Sequence, residues 1–169
     1  MIKIKNVQQP LKREVVNQLI SAIKRDPDVV FISRYKWSGY KDMYVVEQNK
    51  QFIGCCILKF YEDWIKLGPL VLLPQARGKG IGTKLVCKME HDLKDTNLFC
   101  TSTNTRIHKI LDSLGFEEIE PKRSPCKIRS ILLKEFLEYL SFRSVFEGIR
   151  KWISLPRREK RKYYIRQRY

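Results

Sequence analysis

One unbroken run restricts the fold of this chain more than any other: Leu70-Val71-Leu72-Leu73-Pro74-Gln75-Ala76-Arg77-Gly78-Lys79-Gly80-Ile81-Gly82-Thr83. An apolar strand stops at Pro74, which cannot donate to a ladder. A glycine-rich stretch then opens a helix, with Ile81, Leu85, Met89 and Leu93 each four residues apart. Such a junction gathers helix N–H groups that have no intrahelical partner, and the positive end of the helix dipole, at one point. Gly78, Gly80 and Gly82 lack a Cβ, so a polyanion can approach the main chain, and Arg77 and Lys79 add positive charge beside it. The residues from Gln75 to Thr83 therefore predict a phosphate or pyrophosphate site. The spacing matches neither a Gly-Lys-Ser/Thr nucleotide loop nor a Gly-x-Gly-x-x-Gly dinucleotide turn.

The flanking pattern predicts a mixed α/β (α+β) domain. Ile2–Val7 reads as a first strand, and Leu11, Val15, Leu19 and Ile23 form an apolar helical stripe that stops at Asp26-Pro27-Asp28. Residues 31–42 are ambiguous, mixing aromatics with Gly39. Met43–Glu47 and Gln51–Tyr61 pair around Gln48-Asn49-Lys50, with Gly54 marking a bulge or a close backbone approach. Ile65–Leu73 is a central strand, Leu98–Thr101 a short one, Asn104–Leu114 a helix ended by Gly115, and Phe116–Glu120 another strand. Ile128–Leu133 is expected to close the sheet as a last strand. From Phe142, the residues Val145, Phe146, Ile149, Trp152 and Ile153 share one helical face, with Pro156 behind them. The expected division is an N-terminal domain over 1–134, an amphipathic helical appendage over 135–156 and a basic tail over 157–169.

The turn Gln75-Ala-Arg-Gly78-Lys-Gly80 resembles the coenzyme A signature of the GNAT superfamily of N-acyltransferases, Gln/Arg-x-x-Gly-x-Gly/Ala. Val71-Leu72-Leu73-Pro74 matches the strand end before that signature. Asn104, Ile107, Ile110, Leu111, Gly115 and Phe116 hold the register of a second family motif, and the likeness covers residues 1 to about 120. The resemblance implies a three-layer fold whose mixed central sheet is splayed at a cofactor cleft. It implies acetyl-CoA as co-substrate, direct attack on the thioester by a primary amine, and no metal. It also implies that Leu70, Val71 and Leu72 present a backbone N–H to the thioester carbonyl. Gln75, Arg77, Gly78, Lys79, Gly80, Ile81, Gly82 and Thr83 would hold the pyrophosphate, and Asn104 would bond the pantetheine arm.

The chain departs from the family pattern at its acid and base. Leu111 stands where a tyrosine often protonates the leaving thiolate, and Phe99 stands where some members place a glutamate. Glu47, Glu62, Asp63 and His108 are the candidates that remain, with His108 expected on an exposed helix face. Tyr35, Trp37 and Tyr40 fall where an acceptor loop would lie. These departures keep a second reading open: a catalytically silent acyl-CoA-binding or nucleic-acid-binding protein on the same fold.

Charge is unevenly placed. Residues 1–121 carry 19 Lys/Arg against 14 Asp/Glu, whereas residues 122–169 carry 15 against 4. Arg157–Tyr169 alone holds seven cations with Tyr163, Tyr164 and Tyr169 among them, which reads as a frayed tail suited to RNA or to an anionic surface. Five cysteines, odd in number and without Cys-x-x-Cys spacing, predict free thiols, with Cys100 a core residue and no nucleophile. No apolar run reaches the roughly 20 residues that span a bilayer, and Met1-Ile-Lys-Ile-Lys-Asn has no signal-peptide core. These features point to a cytoplasmic protein, with monomer and homodimer both open.

Overall fold

The computed structural model describes residues 1–26, 29, 31–120, 125–139, 149 and 160–168. Strand β1 (Ile2–Gln8) and helix α1 (Arg13–Lys24) come first, then the short helix α2 (Arg34–Gly39) and strands β2 (Asp42–Gln48), β3 (Gln51–Tyr61) and β4 (Trp64–Leu72). Helix α3 (Ile81–Asp92), β5 (Asn97–Ser102), α4 (Thr105–Ser113), β6 (Glu117–Ile119), α5 (Cys126–Tyr139) and β7 (Lys162–Arg166) follow. The strands form one sheet in the order β1-β2-β3-β4-β5-β7-β6, with β4 and β5 parallel and the other pairs antiparallel.

Apolar alternation assigns the two faces. Val46, Leu58, Ile65, Leu67 and Leu98 pack under Leu85 and Met89 of α3 and Leu111 of α4. On the other face Met43, Val45, Cys55 and Ile57 meet Val16, Leu19 and Ile23 of α1 and Trp37 of α2. Trp64, Phe99 and Ile165 meet Ile128 and Ile131 of α5. Neighbouring strand residues point to opposite faces, so Trp64 and Ile65 serve different layers and α5 lies on the α1 and α2 side. The result is the expected three layers.

The β2–β3 hairpin turns through Asn49 and Lys50, both at positive φ (52° and 65°), which is the conformation a tight two-residue hairpin needs. Gly54 is a close approach: a Cβ there would stand 2.5 Å from Leu72 Cδ2 and 2.7 Å from the Val71 carbonyl oxygen. β4 carries an extra residue. Leu67 and Leu70 lie opposite Leu58 and Cys56, three steps on one strand against two on the other, and Gly68 takes a φ of 113°. Leu67 and Leu70 therefore reach the same core.

Two expectations are corrected and one ambiguity is resolved. Residues 128–133, expected as a strand, belong to α5. Ile-Arg-Ser-Ile-Leu-Leu fits either period, but Ile128 and Ile131, three apart, both seat on Trp64 and Phe99. Lys162–Arg166, expected in a frayed tail, is the inner strand β7, paired with β5 on one side and β6 on the other. The strand expected at 128–133 is thus helix, and the sheet is completed by a segment expected outside it. The ambiguous stretch after residue 31 forms α2, started by Ser33, whose Oγ accepts from Lys36 N at 3.4 Å. The amphipathic segment expected over 142–153 lies outside the described residues, apart from Ile149.

Candidate functional site

A cleft opens where β4 and β5 part. Their ladder has four rungs, from Trp64 opposite Asn97 to Leu67 opposite Cys100, although β4 runs on to Leu72 and β5 to Ser102. The extra residue at Gly68 and Pro69 sits where the pairing stops. Beyond it, the direction of each main-chain group follows from alternation. Leu73 N–H donates to the Ile53 carbonyl on β3 at 2.9 Å, so the N–H groups of Leu72 and Leu70 face the opposite edge, into the cleft. The Leu72 carbonyl faces the same way and accepts from Arg77 Nε at 3.0 Å.

The turn above the cleft is built by backbone geometry. Leu73 and Pro74 carbonyls accept from Ala76 N–H and Arg77 N–H. Gly78 and Gly80 adopt φ of 73° and 70°, a region that favours glycine, and Gly80 is the residue before α3. No side chain caps α3, so its first N–H groups face outward from Gly80 onward. A Cβ at Gly78 or Gly80 would meet nothing within 4 Å, whereas one at Gly82 would touch Leu72 Cδ1 at 3.6 Å. Gly78 and Gly80 are thus set by conformation and front open space. Gln75, Lys79 and Thr83 are exposed and Ile81 is buried in the core. Arg77 is engaged: its guanidinium also pairs with Asp26 Oδ2 at 3.0 Å, which ties the turn to the end of α1. Across the cleft, Asn104 Oδ1 accepts from Arg106 N at 3.0 Å and starts α4. Beside it, the buried Thr103 Oγ1 has no hydrogen-bond partner among the described residues.

The four acid–base candidates do not converge. Glu47 pairs with Lys5 at 2.7 Å. Glu62 and Asp63 form the β3–β4 turn, at the opposite end of β4 from Leu72, a run of about 30 Å at strand rise. There they pair with Lys127 of α5, at 3.2 and 2.5 Å. His108, expected to be exposed, is 5% exposed: its ring lies 5.6 Å from that of Tyr164, and Nε2 is 3.0 Å from the Ser102 carbonyl oxygen. Burial of His108 follows from β7, which the sequence reading did not place in the sheet. Leu111 and Phe99 are both core residues. The five cysteines are free thiols. Burial pushes the Cys100 thiol up to about 11, so it is not a thiolate at neutral pH. Among the described residues, no group of three or more His, Cys, Asp or Glu side chains converges as metal ligands.

Another cluster does converge, and sequence spacing gave no sign of it. Glu135 of α5 accepts from Lys59 Nζ at 2.8 Å and from the Tyr61 hydroxyl at 3.1 Å on β3, and it pairs with Lys66 of β4. All three charged side chains are buried or nearly so, at 15%, 12% and 6% exposure for Lys59, Lys66 and Glu135. Burial by itself would raise the Glu135 carboxyl, but Lys66 and Lys59 beside it hold it below the usual carboxylate range. Burial pulls the Lys66 ammonium down, and Glu135 opposes that only in part.

Residues 39–118 match the acetyltransferase (GNAT) domain family. Over 92 residues the chain is 35% identical to an uncharacterized N-acetyltransferase of Chlorobaculum tepidum, a match covering 52% of this chain and 57% of that protein. The chain therefore spans little more than half the length of this curated relative. Among solved structures it resembles N-acetylglutamate synthase from Neisseria gonorrhoeae complexed with coenzyme A and N-acetyl-glutamate. That likeness has a TM-score of 0.67 at 18% identity and covers 98% of this chain and 35% of the synthase. It also resembles the ribosomal-protein-S18-alanine N-acetyltransferase from Escherichia coli, with a TM-score of 0.57 at 18% identity over 71% of this chain and 80% of that one. At such identities these structures speak for the fold.

Proposed function

We propose, from the match of residues 39–118 to the acetyltransferase (GNAT) domain family, that the chain transfers an acetyl group from acetyl-coenzyme A to a primary amine. The cleft carries this reading: β4 and β5 part after Leu67 and Cys100 and leave the Leu70 and Leu72 N–H groups aimed between them, below an uncapped helix start. The exposed glycine turn suits a pyrophosphate, with Lys79 beside it. Arg77 reaches a phosphate only by loosening its bond to Asp26. Asn104 serves as a helix cap and bonds a pantetheine amide only with its remaining donor capacity.

Acetyl-coenzyme A supplies the thioester. The amine nitrogen forms the new C–N bond as the C–S bond breaks; the amine gives up a proton and the departing sulfur takes one. Cleft N–H groups polarise the carbonyl as charge develops on its oxygen. No side chain is placed to donate at Leu111 or to accept at Phe99, so positioning and carbonyl polarisation carry the rate, with proton exchange through water. The same two buried residues favour the second reading, an acyl-CoA binder without turnover. A nucleic-acid role for the tail loses Tyr164 and Arg166, since the first is buried against His108 and the second pairs with Glu90. Among the described residues no helix is long and apolar enough to cross a membrane.

Calorimetry with acetyl-coenzyme A is expected to show binding that Gly80→Glu abolishes and Lys79→Ala weakens by about tenfold. Unchanged affinity in both variants would overturn the turn as the pyrophosphate site. Thiol release across a panel of amines then separates an enzyme from a silent binder.

A further inference from the structure

A cavity of about 470 Å³ lies between the outer flank of α1 and Leu73-Pro74-Gln75, the segment that leads into the glycine turn. Asn17, Ser21 and Arg25 follow one another at four-residue spacing, so they share one helix flank and form a wall with Gln18. The neighbouring stripe of Val16, Leu19 and Ile23 is buried, so α1 packs on the sheet with one face and lines the cavity with another. Leu73 belongs to the core on the α1 side, whereas Ile81 of α3 belongs to the core on the other. The cavity is thus across the sheet from the helix start read as the pyrophosphate site.

Charge in this cavity is unbalanced. Arg25 is its single cation, and no carboxylate stands among the described lining residues. Arg25 is exposed, and among the described residues its guanidinium makes no hydrogen bond or ion pair. Gln18, Ser21 and Gln75 add neutral hydrogen-bonding groups. Asn17 Oδ1 accepts from Arg34 Nη2 at 2.7 Å, which leaves its amide N–H groups to donate.

Two short contacts join the cavity to the cleft. Asp26, the residue after Arg25, pairs with Arg77 at 3.0 Å, and Arg77 Nε donates to the cleft-facing Leu72 carbonyl at 3.0 Å. Beyond Leu67 and Cys100 no ladder joins β4 to β5. A group held on the α1 side can therefore enter the cleft between the strands, at Leu70 to Leu72.

We infer that this cavity takes the acceptor, and that the acceptor is an amine bearing one carboxylate, held by Arg25. The volume falls in the range of small-molecule sites. A guanidinium fork matches a carboxylate with two parallel hydrogen bonds, and one unpaired cation balances one negative charge. Asn17 and Arg25 lie about 12 Å apart along α1 at helical rise, which leaves room for a molecule the size of an amino acid. Ala22, Leu73 and Pro74 wall its apolar part. The inference rests on the acetyl-transfer reading for its reaction, but its binding can be tested without turnover.

The probes are free α- and ω-amino acids and the matching carboxamides, presented to the full chain. In thiol release with acetyl-coenzyme A, the best acid should be used with kcat/KM at least about tenfold above its amide. Arg25→Met should erase that preference and leave acetyl-coenzyme A affinity by calorimetry unchanged, while Arg25→Lys keeps part of it. Amides used as readily as acids, or a preference that survives Arg25→Met, overturns the inference while leaving acetyl transfer in place. Equal loss of acetyl-coenzyme A affinity in Arg25→Met also overturns it, by moving Arg25 to the cofactor. Absence of thiol release with every amine overturns the transferase reading instead. The cavity is then judged from NMR of the backbone amides. Acids that shift Ser21 and Arg25 at about tenfold lower concentration than amides support it, and equal or absent shifts overturn it.

Discussion

Glu135 is the residue whose chemistry differs most from its neighbours'. Its carboxylate is 6% exposed and held by Lys59, Lys66 and the Tyr61 hydroxyl. Removing the charge takes away the carboxylate that Lys59 and Lys66 share, so Glu135→Gln should cost about 3 kcal/mol at pH 7 by chemical denaturation. The pH dependence follows from the lowered carboxyl. A carboxyl that ionises more readily folded than unfolded adds stability that is complete above its unfolded value, about 4.3, and that drains away as pH falls through the lower folded value. The gap between Glu135→Gln and wild type should therefore be full at pH 7 and narrow below about pH 4. A gap that stays constant down to pH 3 would show that the carboxylate is not what holds α5 to the sheet. Lys66 works against folding while charged, since burial lowers it, and Glu135 offsets that cost. Little of this was legible beforehand. Glu135 sits 69 residues from Lys66, at the start of the segment expected as a helical appendage over 135–156.

At the scale of elements, the cleft is a consequence of one extra residue in β4. Leu67 and Leu70 span three steps against two on β3, the strand changes direction, and its pairing with β5 ends. Amide exchange reads this directly. Val71 and Leu73 N–H groups face β3 and should exchange slowly in the free protein; those of Leu70 and Leu72 face the cleft and should exchange fast. Saturating coenzyme A is expected to slow Leu70 and Leu72 by more than about tenfold and to leave Val71 unchanged. Slowing of all four alike would mean general stabilisation of the fold instead of pairing in the cleft. The neighbouring β2–β3 hairpin was read from sequence because Asn49 and Gly54 carry local signals. That the strand ending at Leu72 parts from Leu98–Thr101 was implied by the family resemblance; the rung at which it does so was not, because the extra residue in β4 shows only in the register of the folded sheet.

At the scale of the molecule, the sheet is closed by its last described strand. β7 lies between β5 and β6 with Tyr164 at 1% and Ile165 at 7% exposure, and Arg166 pairs with Glu90 through Nη1 while its Nη2 donates to the Glu90 and Leu93 carbonyls. Burying two such side chains is worth about 5 kcal/mol, a large share of the 5–15 kcal/mol that holds a domain together. A chain ending at Arg161 should therefore lose its cooperative thermal transition and expose the β5 edge, seen by circular dichroism and size exclusion. A truncated chain melting within about 5 °C of the full one would show that β7 is dispensable. The sequence by itself determined the glycine turn, the strand that feeds it and the helix it opens. Those signals are local: Pro74 ends a strand, Gly78 and Gly80 permit left-handed backbone, and Ile81, Leu85 and Met89 share a stripe. Only the tertiary structure decided that Lys162–Arg166 is an inner strand, that 128–133 is helix, and that Lys59, Lys66 and Glu135 meet. A cationic, aromatic pentapeptide reads as a solvated tail until β5 and β6 offer it unpaired hydrogen-bonding edges on both sides.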